Sequence, residues 1–183
     1  MVKKILNDPK TIMLGKGVFS IDGTFIGATQ GGGKLSIKRE TRSTQIDGAP
    51  GRIKGMDIIE TSEASLEINH LEIINDDIRK RHPGLVVKKE KNDVGDNVVS
   101  ITGNMKIYNE DYHDVSFIGE TKAGKEISIT IHNAINLENI EFDLKEKSEV
   151  IDKCTYISSF DLDDESDDMI EPWEITYIEG ENV

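Results

Sequence analysis

Hydrophobic side chains recur along this chain mostly at every second position, in short runs broken by turn residues. Val18, Phe19 and Ile21 lead into Asp22-Gly23, and Thr24, Phe25 and Ile26 follow. Two β-rich runs separated by Asp-Gly predict a tight hairpin, because that pair tolerates the positive φ angles a two-residue turn needs. After Gly31-Gly32-Gly33, the segment Lys34-Leu35-Ser36-Ile37-Lys38-Arg39-Glu40 alternates apolar with polar residues, as a strand with one buried face does. Residues 56–72 carry the longest strand signal, with Ala64, Leu66 and Ile68 alternating with Ser65, Glu67 and Asn69. Further on, Leu85-Val86-Val87 and 98–102 flank the turn-rich residues 92–97. Period two returns at Val115 and Phe117, at Ile127, Ile129 and Ile131, and at Ile140, Phe142 and Leu144. It returns again at Tyr156, Ser158 and Phe160, and at Trp173, Ile175 and Tyr177, with turns expected at Gly103-Asn104, Ala123-Gly124 and Asn133.

One helix is predicted over 75–82. Asn75 caps it, Asp76 and Asp77 complement its dipole, Arg79, Lys80, Arg81 and His82 fill its last turn, and Pro83-Gly84 ends it. Being short and polar, it is expected to cover a sheet edge. Residues 1–16 read as an arm, with a turn at Asn7-Asp8-Pro9 and with Gly15 and Gly17 around Lys16. There is no internal repeat and no linker. The expectation is therefore a single domain over residues 1–183, mainly β. It is a β-sandwich or open barrel with one short flanking helix and a long projecting loop or hairpin.

Composition narrows the functional classes. The 183 residues are 36% hydrophobic, 5% aromatic and 31% charged, which suits thin layers with wet or shared outer faces. A net charge of −13 argues against tight binding to a phosphate backbone, which requires a cationic surface. Cys154 is the only cysteine, so no disulfide can form within one chain. The N-terminus lacks a signal-peptide apolar run, and no run is long enough for a membrane span. The expectation is a soluble protein made in the cytoplasm.

Candidate chemistry is sparse. Gly31-Gly32-Gly33-Lys34 lacks a phosphate loop's opening glycine, having Ala28 there, and has Leu35 where Ser or Thr would hold magnesium. It also precedes a strand, so it reads as a flexible connection or a place where another backbone approaches closely. His70, His82, His113 and His132 share no metal-ligand spacing, and Cys154, in strand context, reads as a small buried hydrophobe. The acidic residues 161–168 place Asp163, Glu165 and Asp167, with Glu174, at calcium-loop spacing, but Asp168 stands where that loop requires glycine. A calcium- or carbohydrate-binding β-sandwich is therefore the alternative reading, with a solvated acidic loop as its default. No catalytic constellation is visible, so no enzyme activity and no cofactor are expected.

Charge distribution singles out one segment. Residues 154–183 contain ten acids and no Lys or Arg. Residues 38–54 hold Lys38, Arg39, Arg42, Arg52 and Lys54 against Glu40 and Asp47. A cationic arm on an anionic body suits docking between identical copies, with an association that salt weakens. The arm, residues 38–55, is longer than a hairpin loop, with turns at Asp47-Gly48 and Pro50-Gly51. Too poor in apolar residues to pack a core of its own, it is expected to become ordered on a partner.

Three stretches carry a family resemblance. They are Ile21-Asp22-Gly23-Thr24-Phe25-Ile26-Gly27-Ala28-Thr29 with Gly33-Lys34-Leu35-Ser36-Ile37, then Asp47-Gly48-Ala49-Pro50-Gly51-Arg52-Ile53-Lys54-Gly55, then the long run over 58–73. Together they resemble the tail tube (major tail) proteins of long-tailed bacteriophages, and the closing Pro172-Trp173-Glu174-Ile175 is similar to the way that family ends. The resemblance implies hexameric rings stacked into a tube of the virion tail, in contact with other tail proteins. It implies an acidic lumen through which DNA slides without specific binding, and no membrane partner. By position it makes Lys38, Arg39, Arg42, Asp47, Gly48, Pro50, Gly51, Arg52 and Lys54 the subunit or ring interface.

Overall fold

The computed structural model describes residues 12–73, 77–161 and 170–178. Among the described residues, ten strands and one turn of α-helix follow the alternation closely. They are β1 (Met13–Ile21), β2 (Thr24–Phe25), β3 (Thr29–Ser43), β4 (Asp57–His70), α1 (Ile78–Arg81), β5 (Leu85–Lys91), β6 (Asn97–Gly103), β7 (His113–Thr121), β8 (Glu126–Asn136), β9 (Asp152–Ile157) and β10 (Trp173–Tyr177). Eight strands form an antiparallel sheet in the order β2-β1-β7-β8-β9-β4-β3, with β10 added on β8, and β5-β6 form a separate pair. The sheet folds over on itself as a sandwich. Phe19, Ile21, Val115 and Ile131 from its first half pack with Ala64, Leu66, Ile68, Cys154 and Tyr156 from its second.

Local chemistry explains the corners. Ser20 pairs with Phe25 and Ile21 with Thr24, leaving Asp22 (φ 49°) and Gly23 (φ 72°) as the expected tight turn. β8 belongs to both halves of the sandwich. Val115 faces Ile131 but His113 faces Ala134, so β8 carries one extra residue, a bulge centred near Asn133 with φ 47°. The Asp114 carboxylate accepts the Asn133 N–H (3.2 Å) and contacts His132 Nδ1 (3.1 Å), supporting the bulge from the neighbouring strand. Beyond it, Ile135 and Asn136 pair with Ile157 and Tyr156 of β9. Asn133, expected at a turn between strands, thus bends a single strand from one half of the sandwich to the other.

The glycine run lies inside β3 rather than between strands. The register with β4 shifts between Thr29 and Gly33. Of the two readings, close approach applies at Gly33, where a Cβ would stand 2.7 Å from both the Glu67 carbonyl oxygen and the Phe19 ring. Gly33→Ala is expected to cost about 1–3 kcal/mol by overpacking this seam, read as a lower urea midpoint at unchanged m-value.

Several elements differ from expectation. β3 outruns β4, which carried the longer signal. β1 starts at Met13, within the supposed N-terminal arm, whose residues 1–11 lie outside the described residues. Ile140, Phe142 and Leu144 join no ladder, and β9 ends at Ile157, short of Phe160. The helix is a single turn, Ile78–Arg81, with Asp77 at its N-cap; Asn75 and Asp76 lie outside the described residues. It is not merely a polar cover: Ile78, Arg81 and the following His82 are all buried.

Candidate functional site

The arm is a regular hairpin for much of its length. β3 and β4 stay paired out to Ser43–Asp57, with a second shift between Glu40 and Thr41 that leaves Glu60 as the extra residue. Lys38, Arg39 and Arg42 therefore lie on β3, whereas Asp47, Gly48, Pro50, Gly51, Arg52 and Lys54 lie in the tip, residues 44–56. Within the tip, Ala49 N–H donates to Ile46 (3.1 Å) across Asp47-Gly48, and Met56 N–H donates to Ile53 (3.2 Å). No residue from 38 to 63 is buried; the packed core begins at Ala64. The base of the hairpin is a β3–β4 ladder that runs on beyond the core.

Three of the hairpin's five basic side chains form ion pairs within it. Lys38 pairs with Glu63 (3.7 Å), Arg42 with Glu60, and Arg52 with Asp57 (2.8 Å), across or along the hairpin. Arg39 reaches the segment before β10, meeting the Glu171 carboxylate at 2.8 Å and lying 5.6 Å over the Trp173 ring. Glu171 also accepts from Ser62 Oγ (2.7 Å) and Trp173 Nε1 (2.6 Å). Burial would raise its carboxyl, but the donors Ser62, Arg39 and Trp173 hold it below the usual carboxylate range. Over residues 38–63 five basic side chains face five acidic ones, Glu40, Asp47, Asp57, Glu60 and Glu63, so the hairpin is neutral and the whole −13 lies elsewhere. Residues 38–54 by themselves carry a net charge of +3, which the returning strand offsets with Asp57, Glu60 and Glu63. What the hairpin offers a partner is apolar: Ile46, Met56, Ile58 and Ile59 are all exposed. Ile58 and Ile59, adjacent on a strand, present one isoleucine to each face.

The calcium-loop candidates Asp163, Glu165 and Asp167 lie outside the described residues. Trp173, the only indole, is occupied by Arg39 and Glu171, which leaves it poorly placed as a sugar platform.

A second cluster, invisible in the sequence reading, lies in the core. Asp152, Cys154 and Tyr156 share the inward face of β9, and α1 delivers Arg81 and His82 against them. Arg81 donates to the carbonyls of Glu72 and Ile73 (2.7 Å each), and its Nε lies 3.5 Å from Asp152 Oδ2. His82 Nε2 is 2.9 Å from Asp152 Oδ1 and 4.0 Å from Cys154 Sγ. The ligand atoms of His82, Asp152 and Cys154 fall within 4.8 Å of one another, a spacing a metal could use. Hydrogen-bond direction argues otherwise. Asn136 Oδ1 accepts from Glu138 N–H, so its Nδ2 donates to Arg81 O (2.9 Å) and faces His82 Nδ1 (3.4 Å). His82 Nδ1 is then the acceptor and Nε2 carries the proton that Asp152 receives, leaving no ring lone pair for a metal.

Titration follows from this packing. Burial opposes the Asp152 carboxylate, but the hydrogen bond from His82 and the charge of Arg81 hold its pKa below the ordinary value. Burial and the Asp152 charge push the Cys154 thiol up to about 12, which removes it as a nucleophile. Burial first, then the Arg81 charge, pull His70 down to about 4. Its Nε2 lies 3.2 Å from the Tyr156 hydroxyl. In the unfolded chain His70 takes a proton below its ordinary value of 6.5, whereas in the folded protein it resists until about 4. Its stabilising contribution is complete above 6.5 and drains away as pH falls towards 4, by about 3 kcal/mol. Urea titrations between pH 7 and 5, where most carboxylates stay ionised, should show a stability slope that His70→Gln flattens.

No helix among the described residues is long and apolar enough to cross a membrane. No family model matches this chain, and no curated protein matches it significantly.

Proposed function

We propose that this protein is a structural subunit that assembles with copies of itself into stacked rings, hexameric by resemblance, forming the tube of a bacteriophage tail. The observation that carries the reading is the β3–β4 hairpin. It extends a full ladder beyond the packed core, buries nothing, and exposes isoleucine on both faces. A monomer gains little from such an element, while an assembly gains a long lever with apolar contact surface. The charge layout supports the same reading, since a neutral hairpin can enter a neighbour without repulsion while the anionic body keeps DNA mobile in a lumen. Contacts with other tail proteins and residence in the virion tail belong to this proposal.

Negative-stain microscopy of the concentrated full chain tests it. Ring or tube particles of uniform diameter are the expected result. A protein that stays monomeric by light scattering across concentration, temperature and salt overturns it.

A further inference from the structure

The β3–β4 hairpin leaves the core as a two-stranded ribbon, and such a ribbon twists readily and is marginal by itself. Its direction relative to the body is therefore set at its root. Leu35 and Ile37 of β3 face Leu66 and Ala64 of β4 across the ladder, and all four belong to the core or pack against it. The next pair on that inward face is Arg39 and Ser62. A polar pair thus stands where alternation would place one more core layer.

Both of these side chains end on one carboxylate. Glu171 accepts from Arg39 Nε (3.1 Å) and Nη2 (2.9 Å), from Ser62 Oγ (2.7 Å) and from Trp173 Nε1 (2.6 Å). Among the described residues, the hydrogen bonds and ion pairs from residues 38–63 to the rest of the chain all converge on it. The backbone behind Glu171 is fixed to the other half of the sandwich. Pro172 is buried, its carbonyl accepts the His132 N–H (2.9 Å), and Trp173 pairs with Ile131 of β8. One side chain therefore joins the root of the hairpin to the bent strand β8.

We propose that Glu171 is a positioning residue: it fixes the angle at which the hairpin leaves the body, so that the hairpin meets a second copy already oriented. An arm held in its docking direction loses less freedom on binding than one that swings about its root. Arg39 suits the task because its guanidinium meets both oxygens of Glu171, which restricts direction as well as distance. The arrangement also orders events. The partner of Arg39 lies 132 residues further along the chain, so the hairpin takes its direction only after β10 has docked on β8. This inference rests on the assembly reading and adds to it the residue that aims the arm.

Spin labels on Thr41→Cys in the hairpin and Ala123→Cys in the β7–β8 turn test it in the full chain, below the concentration at which it assembles. Both positions are exposed, and the buried Cys154 stays unlabelled. Pulsed electron resonance should give one narrow distance distribution, which Glu171→Ala broadens. Arg39→Gln, which leaves Ser62 and Trp173 on the carboxylate, should broaden it less and add nothing to Glu171→Ala. In the unlabelled chain Glu171→Ala should raise the concentration needed for assembly by roughly tenfold or more, with a melting temperature near that of the wild type. A distribution that Glu171→Ala leaves as narrow as before overturns the positioning role. So does a broadened chain that assembles at the wild-type concentration. A wild-type chain that never assembles overturns the tube reading instead, while the distance measurement still decides whether Glu171 holds the arm.

Discussion

Replacing residues 44–56 with Asn-Gly is expected to abolish tube formation while leaving a folded monomer. Ser43 and Asp57 are paired across the hairpin, so a two-residue turn can close the ladder directly behind them. The deletion removes Ile46 and Met56 and no buried side chain. Shortening a loop of this kind changes closure entropy by only about 1–2 kcal/mol, in the stabilising direction. Thermal melting should therefore hold or rise slightly. Sedimentation and negative-stain microscopy should show monomers at concentrations where, on the proposed reading, the wild type assembles. Tubes of ordinary dimensions from the shortened chain would remove the hairpin tip from the assembly.

The largest stability effect is expected at Asp152. Asp152→Asn removes the buried carboxylate that stands 3.5 Å from Arg81 Nε and puts an amide in its place. Breaking a buried pair in this way costs about 3–5 kcal/mol, a large share of a domain's stability. The urea midpoint should fall accordingly. Adding Arg81→Met removes the other half of the pair, and the double variant should recover part of the loss, because a whole buried pair is often replaceable where half of one is not. If the two losses simply add, the two residues are not coupled and the cluster is held by other contacts.

Much of the fold was legible because its determinants are local. Asp22-Gly23 fixes a turn by its own φ preferences, and Ala64, Leu66 and Ile68 declare a buried face by period alone. The same period misled at Ile140, Phe142 and Leu144. Alternation states that a segment can be half-buried in a sheet; it does not supply the neighbour. The core cluster failed to show for another reason. His82 and Asp152 are far apart in sequence, and Arg81 and His82 looked like exposed cations of a helix's last turn. One signal was present nonetheless: Asp152 lies in phase with Cys154 and Tyr156, and a carboxylate on the inward face of a strand demands a buried partner. The arm's length and position were readable, but its neutrality was not. Glu60, Glu63 and Asp57 belong to the returning strand, and only pairing brings them beside Arg42, Lys38 and Arg52.

The bent strand β8 has a mechanical consequence. Two stacked sheets joined by side chains alone can slip past each other under load, resisted only by packing. Here one covalent backbone passes through both, hydrogen-bonded to β7 on one side of the Asn133 bulge and to β9 on the other. A pull applied to either half is passed to the other along the chain itself, as tension in β8. Yielding then requires ladders on both sides of the bulge to unzip, so the domain should respond to force as a single stiff body.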